Sequence, residues 1–121
     1  MARPAVARFE VTGKDAAALQ RCSTAVFEWR IRDGGDGSGN GVVAAGAKGI
    51  AGGIGAAQAG DGGHLSFYVE VDGPAACLRK AEQLGGRTVV PPTNIPQFGL
   101  TFAFFTDPEG HRIGLSGGAV Q

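Results

Sequence analysis

The chain repeats itself, and the repeat limits what it can fold into more than any other feature. Displaced by 58 residues, Phe9 falls on Phe67, Val11 on Val69, Ala17 on Ala75, Ala18 on Ala76, Arg21 on Arg79 and Ile31 on Val89. Towards the end of each half the displacement grows to 61, which brings Gly49 onto Gly110, Gly53 onto Gly114 and Ile54 onto Leu115. Identities among small residues arise by chance, so the weight falls on the order of elements, which is the same twice: strand, helix, three strands. One such half has a single helix and leaves a sheet face uncovered; a second half is the natural remedy.

In the first half, Ala5 to Val11 alternates as a strand with Phe9 and Val11 as its apolar members. Asp15 caps a helix rich in alanine, whose inner face is expected to carry Leu19, Cys22 and Val26 at spacings of three and four. Phe27 to Arg32 reads as a strand with Trp29 and Ile31. The run from Asp33 to Asn40, DGGDGSGN, reads as a turn, because no side chain in it offsets the cost of order. Val42 to Gly46 and Gly49 to Ala57 are weak strands, the second diluted by Gly52, Gly53 and Gly55.

After a hinge at Ala59 to Gly63 the order returns. His64 to Val71 is a strand, and Gly73 to Leu84 a helix opened by Pro74 and stopped by Gly85-Gly86. Arg87 to Val90 is a strand, Pro91 to Phe98 a proline-rich loop, and Leu100 to Thr106 a strand whose apolar, aromatic and β-branched make-up suits burial on both faces. Asp107-Pro108-Glu109-Gly110 then turns the chain into a last strand, His111 to Leu115.

Composition excludes some roles. With 11 Lys plus Arg against 11 Asp plus Glu, no net field steers the chain to nucleic acid or anionic lipid. No apolar run approaches the roughly 20 residues that span a bilayer, and Met1-Ala2-Arg3-Pro4 lacks the apolar core of a signal peptide, so a cytoplasmic protein is expected. Cys22 and Cys77 are expected as buried reduced thiols. The glycine runs carry no chemistry: a single DGGDGSGNG has no neighbouring copy to stack on, and GIAGGIGAA lacks the spacing of a dinucleotide loop.

The stretches HLSFYVEVDGPAACLRKAEQLGG and FTDPEGHRIGL, set in this repeat, resemble the vicinal oxygen chelate superfamily, which includes glyoxalases, extradiol dioxygenases and bleomycin-resistance proteins. The resemblance runs from about Arg8 to Ser116. It is weaker in the first half, where Cys22-Ser23 replaces a common aromatic pair and Glu28 stands where a glycine commonly precedes the tryptophan. It implies an α+β, glyoxalase-like single domain over residues 1–121. Two βαβββ modules, about 5–58 and 63–118, would form a cupped eight-stranded mixed sheet with helices outside and a cavity inside.

Enzymes of that superfamily hold a divalent metal on side chains from the first and last strand of each module. The matching positions here are Arg8, Gly53, Ser66 and Gly114. Arginine stays protonated, glycine has no side chain and a lone serine hydroxyl binds such ions weakly, so no metal, no cofactor and no catalytic residue is expected. Glu10 and His64 lie two residues away on the same strand faces, but the module ends offer them no partner. His64 and His111 are expected as exposed histidines, Glu70 as a solvated strand-end residue, and Trp29 as core.

The expected function is metal-independent binding of a small, partly apolar molecule, as in bleomycin-resistance proteins, by a homodimer that covers free strand edges. Its candidate ligand-binding residues are Arg8, Phe9, Ser66, Phe67, Tyr68, Phe102 and Phe104, with Arg8 as a fixed cation for a carboxylate or enolate oxygen. Two alternatives remain open: a metal-dependent lyase or dioxygenase, and an interaction domain without a small ligand.

Overall fold

A computed structural model describes residues 3–34, 39–58, 60–96 and 99–118. The fold is α+β, with the element order strand, helix, three strands occurring twice, as the repeat predicts. The first set is β1 (Val6–Gly13), α1 (Ala16–Phe27), β2 (Ile31–Asp33), β3 (Gly41–Val43) and β4 (Ala51–Ala56). The second is β5 (Gly63–Glu70), α2 (Pro74–Gln83), β6 (Arg87–Ile95), β7 (Leu100–Thr106) and β8 (Arg112–Gly118). The chain divides into two compact units, Arg8–Ser66 and residues 1–7 with 67–121. Parts of the turn expected at Asp33–Asn40, of the Ala59–Gly63 hinge and of the loop ending at Phe98 lie outside the described residues.

Within the first unit the strands run in the order β2-β3-β4-β1. β2 and β3 pair antiparallel, as do β3 and β4, while β4 and β1 pair parallel. The second unit repeats that pattern: β6 with β7 and β7 with β8 are antiparallel, and β8 with β5 is parallel. The register repeats as well. Glu10 faces Gly53 and Val11 faces Ile54 in one unit; Tyr68 faces Gly114 and Val69 faces Leu115 in the other. These are the residue pairs that the displacements of 58 and 61 superimpose.

The helices begin as the sequence indicates. Asp15 accepts a hydrogen bond from the Ala18 N–H at 3.0 Å and caps α1. Pro74 opens α2, where a missing N–H costs nothing because the first turn has no acceptor for it. Gly85, at φ +101°, takes the left-handed conformation just beyond α2 that glycine adopts without strain.

The packing of the two helices differs. In the second unit Leu78 of α2 is buried with Ala103 and Leu115, flanked by Val69, Val71, Cys77 and Phe105. In the first unit α1 has no fully buried residue. Its inward side is Ala16, Leu19, Gln20 and Ser23, all half-buried. The expected inner face is therefore corrected: Cys22 is exposed, and Val26 is 64% exposed. A hydrogen bond rather than an apolar stripe sets the rotation of α1, since Gln20 Nε2 donates to the Ile54 carbonyl at 2.8 Å and to the Gly39 carbonyl at 3.0 Å. Of the two thiols expected to be buried, Cys77 is half-buried against the core and Cys22 is exposed.

Boundaries moved where local chemistry outweighed composition. α1 extends through Phe27, and Glu28 closes it at φ 57°, its N–H donating to the Thr24 carbonyl. The residues expected as a proline-rich loop instead extend β6 to Ile95. Pro91 and Pro92 are accommodated because β6 ends the strand order and its register with β7 breaks between Val90 and Thr93, so neither proline is asked for a ladder hydrogen bond. The closing turn forms as expected. Asp107 Oδ1 accepts from the Glu109 and His111 N–H groups at 3.0 and 2.9 Å, and Gly110 sits at φ +90°.

No helix among the described residues is long and apolar enough to cross a membrane.

Candidate functional site

Side chains alternate along a strand, so one face of β1 carries Arg8, Glu10 and Thr12 and the other carries Phe9, Val11 and Gly13. The second face meets α1: a Cβ placed on Gly13 would lie 2.8 Å from Leu19. Phe9 belongs to that face. Its ring stands 5.6 Å from Trp29, which in turn lies 4.9 Å from Phe27, and it covers Gly52 so closely that a side chain there has no room. Phe9 is thus placed with the α1 packing and not beside Arg8.

The polar face of the first unit holds a connected group that sequence reasoning brought only partly together. His64 Nε2 lies 2.6 Å from Glu10 Oε2, and His64 Nδ1 lies 3.3 Å from Thr12 Oγ1. The His64 backbone N–H donates to that same Thr12 oxygen at 3.1 Å. Thr12 Oγ1 thus meets both the backbone N–H and the Nδ1 side of the His64 ring, while Nε2 faces the Glu10 carboxylate. The pair is largely shielded, with side-chain exposures of 15% for His64 and 22% for Glu10. His64 is therefore not the exposed strand-end residue that its position after Gly62-Gly63 suggests. Both ring nitrogens are engaged within the chain.

Arg8, two residues before Glu10, is half-buried in mid-strand rather than solvated, and its guanidinium covers Gly53: a Cβ on Gly53 would stand 3.0 Å from Nη2. Ser66 is buried on the same face of β5 as His64. The expected residues Arg8 and Ser66 thus belong to the polar face, with Glu10, Thr12 and His64 added to them. Thr12 was missed because a lone threonine in a strand is unremarkable; its i, i+2 spacing after Glu10 was the one available signal.

In the second unit the face away from α2 is aromatic. Tyr68 and Phe104 stand 5.2 Å apart between ring centroids, and Phe102 meets Phe104 edge-on at 6.2 Å. The Arg112 guanidinium lies 5.6 Å from the Phe104 centroid. Phe67 points the other way, alternating with Tyr68 to the side where Val69 packs on Leu78, and it stays 39% exposed. Three of the expected aromatic residues, Tyr68, Phe102 and Phe104, are therefore brought together; Phe67 is not among them. Arg112 was overlooked beside the more conspicuous turn. Glu70 is exposed, as expected, and His111 is an exposed residue whose Nδ1 lies 3.0 Å from Asp107 Oδ2.

The sequence profile of the Glyoxalase/Bleomycin resistance protein/Dioxygenase superfamily matches residues 6–115. The chain belongs to this superfamily. No curated protein sequence matches it. Among solved structures it is similar to a glyoxalase/bleomycin resistance protein/dioxygenase superfamily member from Vibrio splendidus 12B01, with a TM-score of 0.66 and 10% identity over 95% of this chain and 99% of that one. It is also similar to methylmalonyl-CoA epimerase from Mycobacterium tuberculosis, with a TM-score of 0.64 and 14% identity over 95% and 88% of the two chains. A third is 2,2',3-trihydroxybiphenyl 1,2-dioxygenase from Sphingomonas wittichii strain RW1, with a TM-score of 0.63 and 12% identity over 98% of this chain and 42% of that one. At these identities the likeness is one of fold.

The superfamily resemblance raises the question of a divalent metal, and the residues present do not fit one. A carboxylate at position 114 would have to start from a Cβ 2.6 Å from the Tyr68 ring. One at position 53 would start 3.0 Å from a guanidinium nitrogen. Among the described residues no three His, Cys, Asp or Glu side chains converge, and the nearest approach, Glu10 with His64, is a hydrogen-bonded pair.

Proposed function

We propose that this superfamily member is a metal-independent binding protein for a small, partly apolar molecule. The observation that carries this reading is Tyr68. Its ring occupies the space over Gly114, the position where the resemblance calls for a metal-binding acid, and joins it to Phe102 and Phe104 in an apolar platform. An apolar surface with a few fixed polar groups is the usual make-up of a small-molecule site.

A ligand that binds only the native chain raises its melting temperature. Thermal unfolding in the presence of a chelator, across a panel of aromatic and polyketide-like compounds, is expected to show stabilisation by some members. Elemental analysis of the same preparation is expected to give no stoichiometric transition metal. Stabilisation that disappears with chelator and returns with a divalent cation would overturn the reading. The proposal extends to a cytoplasmic homodimer, for which light scattering at micromolar concentration is the direct check.

A further inference from the structure

The aromatic face of the second unit carries one step more, and it rests on the reading just given. Tyr68, Phe102, Phe104 and Arg112 come from three adjacent strands, β5, β7 and β8. The cluster beneath α2 does not include them, because α2 packs on the opposite face through Leu78, Ala103 and Leu115. Phe104 is 5% exposed at the centre of the group, while Tyr68, Phe102 and Arg112 are half-buried around it. Two partly exposed rings beside a buried third form a surface on which another flat ring can lie.

The charge on this face has a direction. Arg112 faces Thr106 in the register at one end, Gly114 faces Tyr68 and Phe104 in the middle, and Ser116 faces Glu70 and Phe102 at the other. The cation and the exposed carboxylate of Glu70 are thus separated by the span of the platform. A guanidinium resting on an aromatic ring keeps its charge and presents N–H donors in its own plane, the arrangement that matches a carboxylate's two oxygens. Glycine at 114 leaves room at the centre of the platform for the Tyr68 ring.

We propose that this face binds a planar aromatic anion, with the ring laid against Tyr68 and Phe102 and the anionic group held by Arg112. The acidic end at Glu70 sets the orientation by repelling the anionic group from that side.

The test is calorimetric titration of the full chain, with chelator present, using 1-naphthoate and the neutral 1-naphthylmethanol, which share a ring system. The acid is expected to bind about tenfold more tightly than the alcohol, the size of one charge-assisted contact. Arg112→Gln is expected to abolish that preference, and Tyr68→Ala to weaken both compounds. Equal affinity for acid and alcohol, or a preference that survives Arg112→Gln, would overturn the anion assignment. Should the glutamine variant fail to fold, Arg112→Met removes the charge while keeping an unbranched apolar stem, and an undiminished preference there overturns it equally. If neither naphthalene compound binds while other panel members stabilise the chain without metal, this inference falls and the proposed function stands. Stabilisation found only with added cation removes both.

Discussion

Glu10, paired with Gly53, and Tyr68, paired with Gly114, occupy the same register position in two copies of one motif, and they do different things there. In the first unit the strand face away from the helix is polar: Glu10, His64 and Thr12 form one hydrogen-bonded chain, and Arg8 lies over the glycine. In the second unit the same face is aromatic, with a tyrosine over the glycine. The helix-facing sides diverge too, since α2 buries Leu78 and α1 buries nothing fully. Register is fixed by backbone pairing, which tolerates any side chain that fits, so duplicated halves keep their ladders and part company at the residues that project from them.

The largest effect should come from the unequal cores. Leu78→Ala is expected to cost about 3 kcal/mol, and Leu19→Ala in the half-buried face of α1 about 1 kcal/mol. Urea unfolding of the two variants measures the gap, and equal losses would mean that the units do not differ in this way. Next comes the seal over the second glycine. Gly114→Glu is expected to destabilise by about 2 kcal/mol through overpacking against Tyr68. Tyr68→Ala in the same chain should recover part of the loss, and additive losses would break the contrast at its centre.

A smaller effect belongs to the polar chain. Glu10→Ala removes the acceptor facing His64 Nε2 and is expected to cost about 1 kcal/mol, with a shift of the His64 ring resonances by NMR as the local readout. No such shift would show that the pair does not persist in solution. The smallest effect lies in the β7–β8 turn. The Asp107 carboxyl is held below its ordinary value by the His111 backbone N–H, against partial desolvation, with the His111 ring and the Glu109 N–H adding to the lowering. A lowered folded-state value means that this stabilisation is present above the unfolded-state pKa and is lost as pH falls through the folded one, below about pH 4. Asp107→Asn should therefore flatten the acid limb of the melting temperature, and unchanged slopes would remove the turn from the account.

The repeat made the fold legible because it fixes element order and pairing together. Phe9 on Phe67 and Gly53 on Gly114 were read from letters alone, and the ladders join equivalent partners in each copy. The strand faces were harder to read. Composition alone groups Phe9 and Phe67 with Phe102 and Phe104 as aromatic residues in strands, but alternation sends the first two to the helix side, and only pairing partners reveal which parity faces which way. His64 looked like a terminal residue because Gly62 and Gly63 precede it, and nothing local announces that Glu10, 54 positions earlier, meets its ring. The rotation of α1 escaped for a similar reason. Gln20 is polar and an apolar stripe omits it, yet its amide reaches two backbone carbonyls, a preference that hydropathy cannot register.

Pro91 and Pro92 have a consequence of their own. Two successive imide nitrogens in a terminal strand remove one donor from each side of it, so a stray extended peptide approaching β6 from outside would meet a gap in the row it needs to zip onto. The doublet that interrupts the ladder to β7 thereby acts as a guard against fibrous growth at that flank.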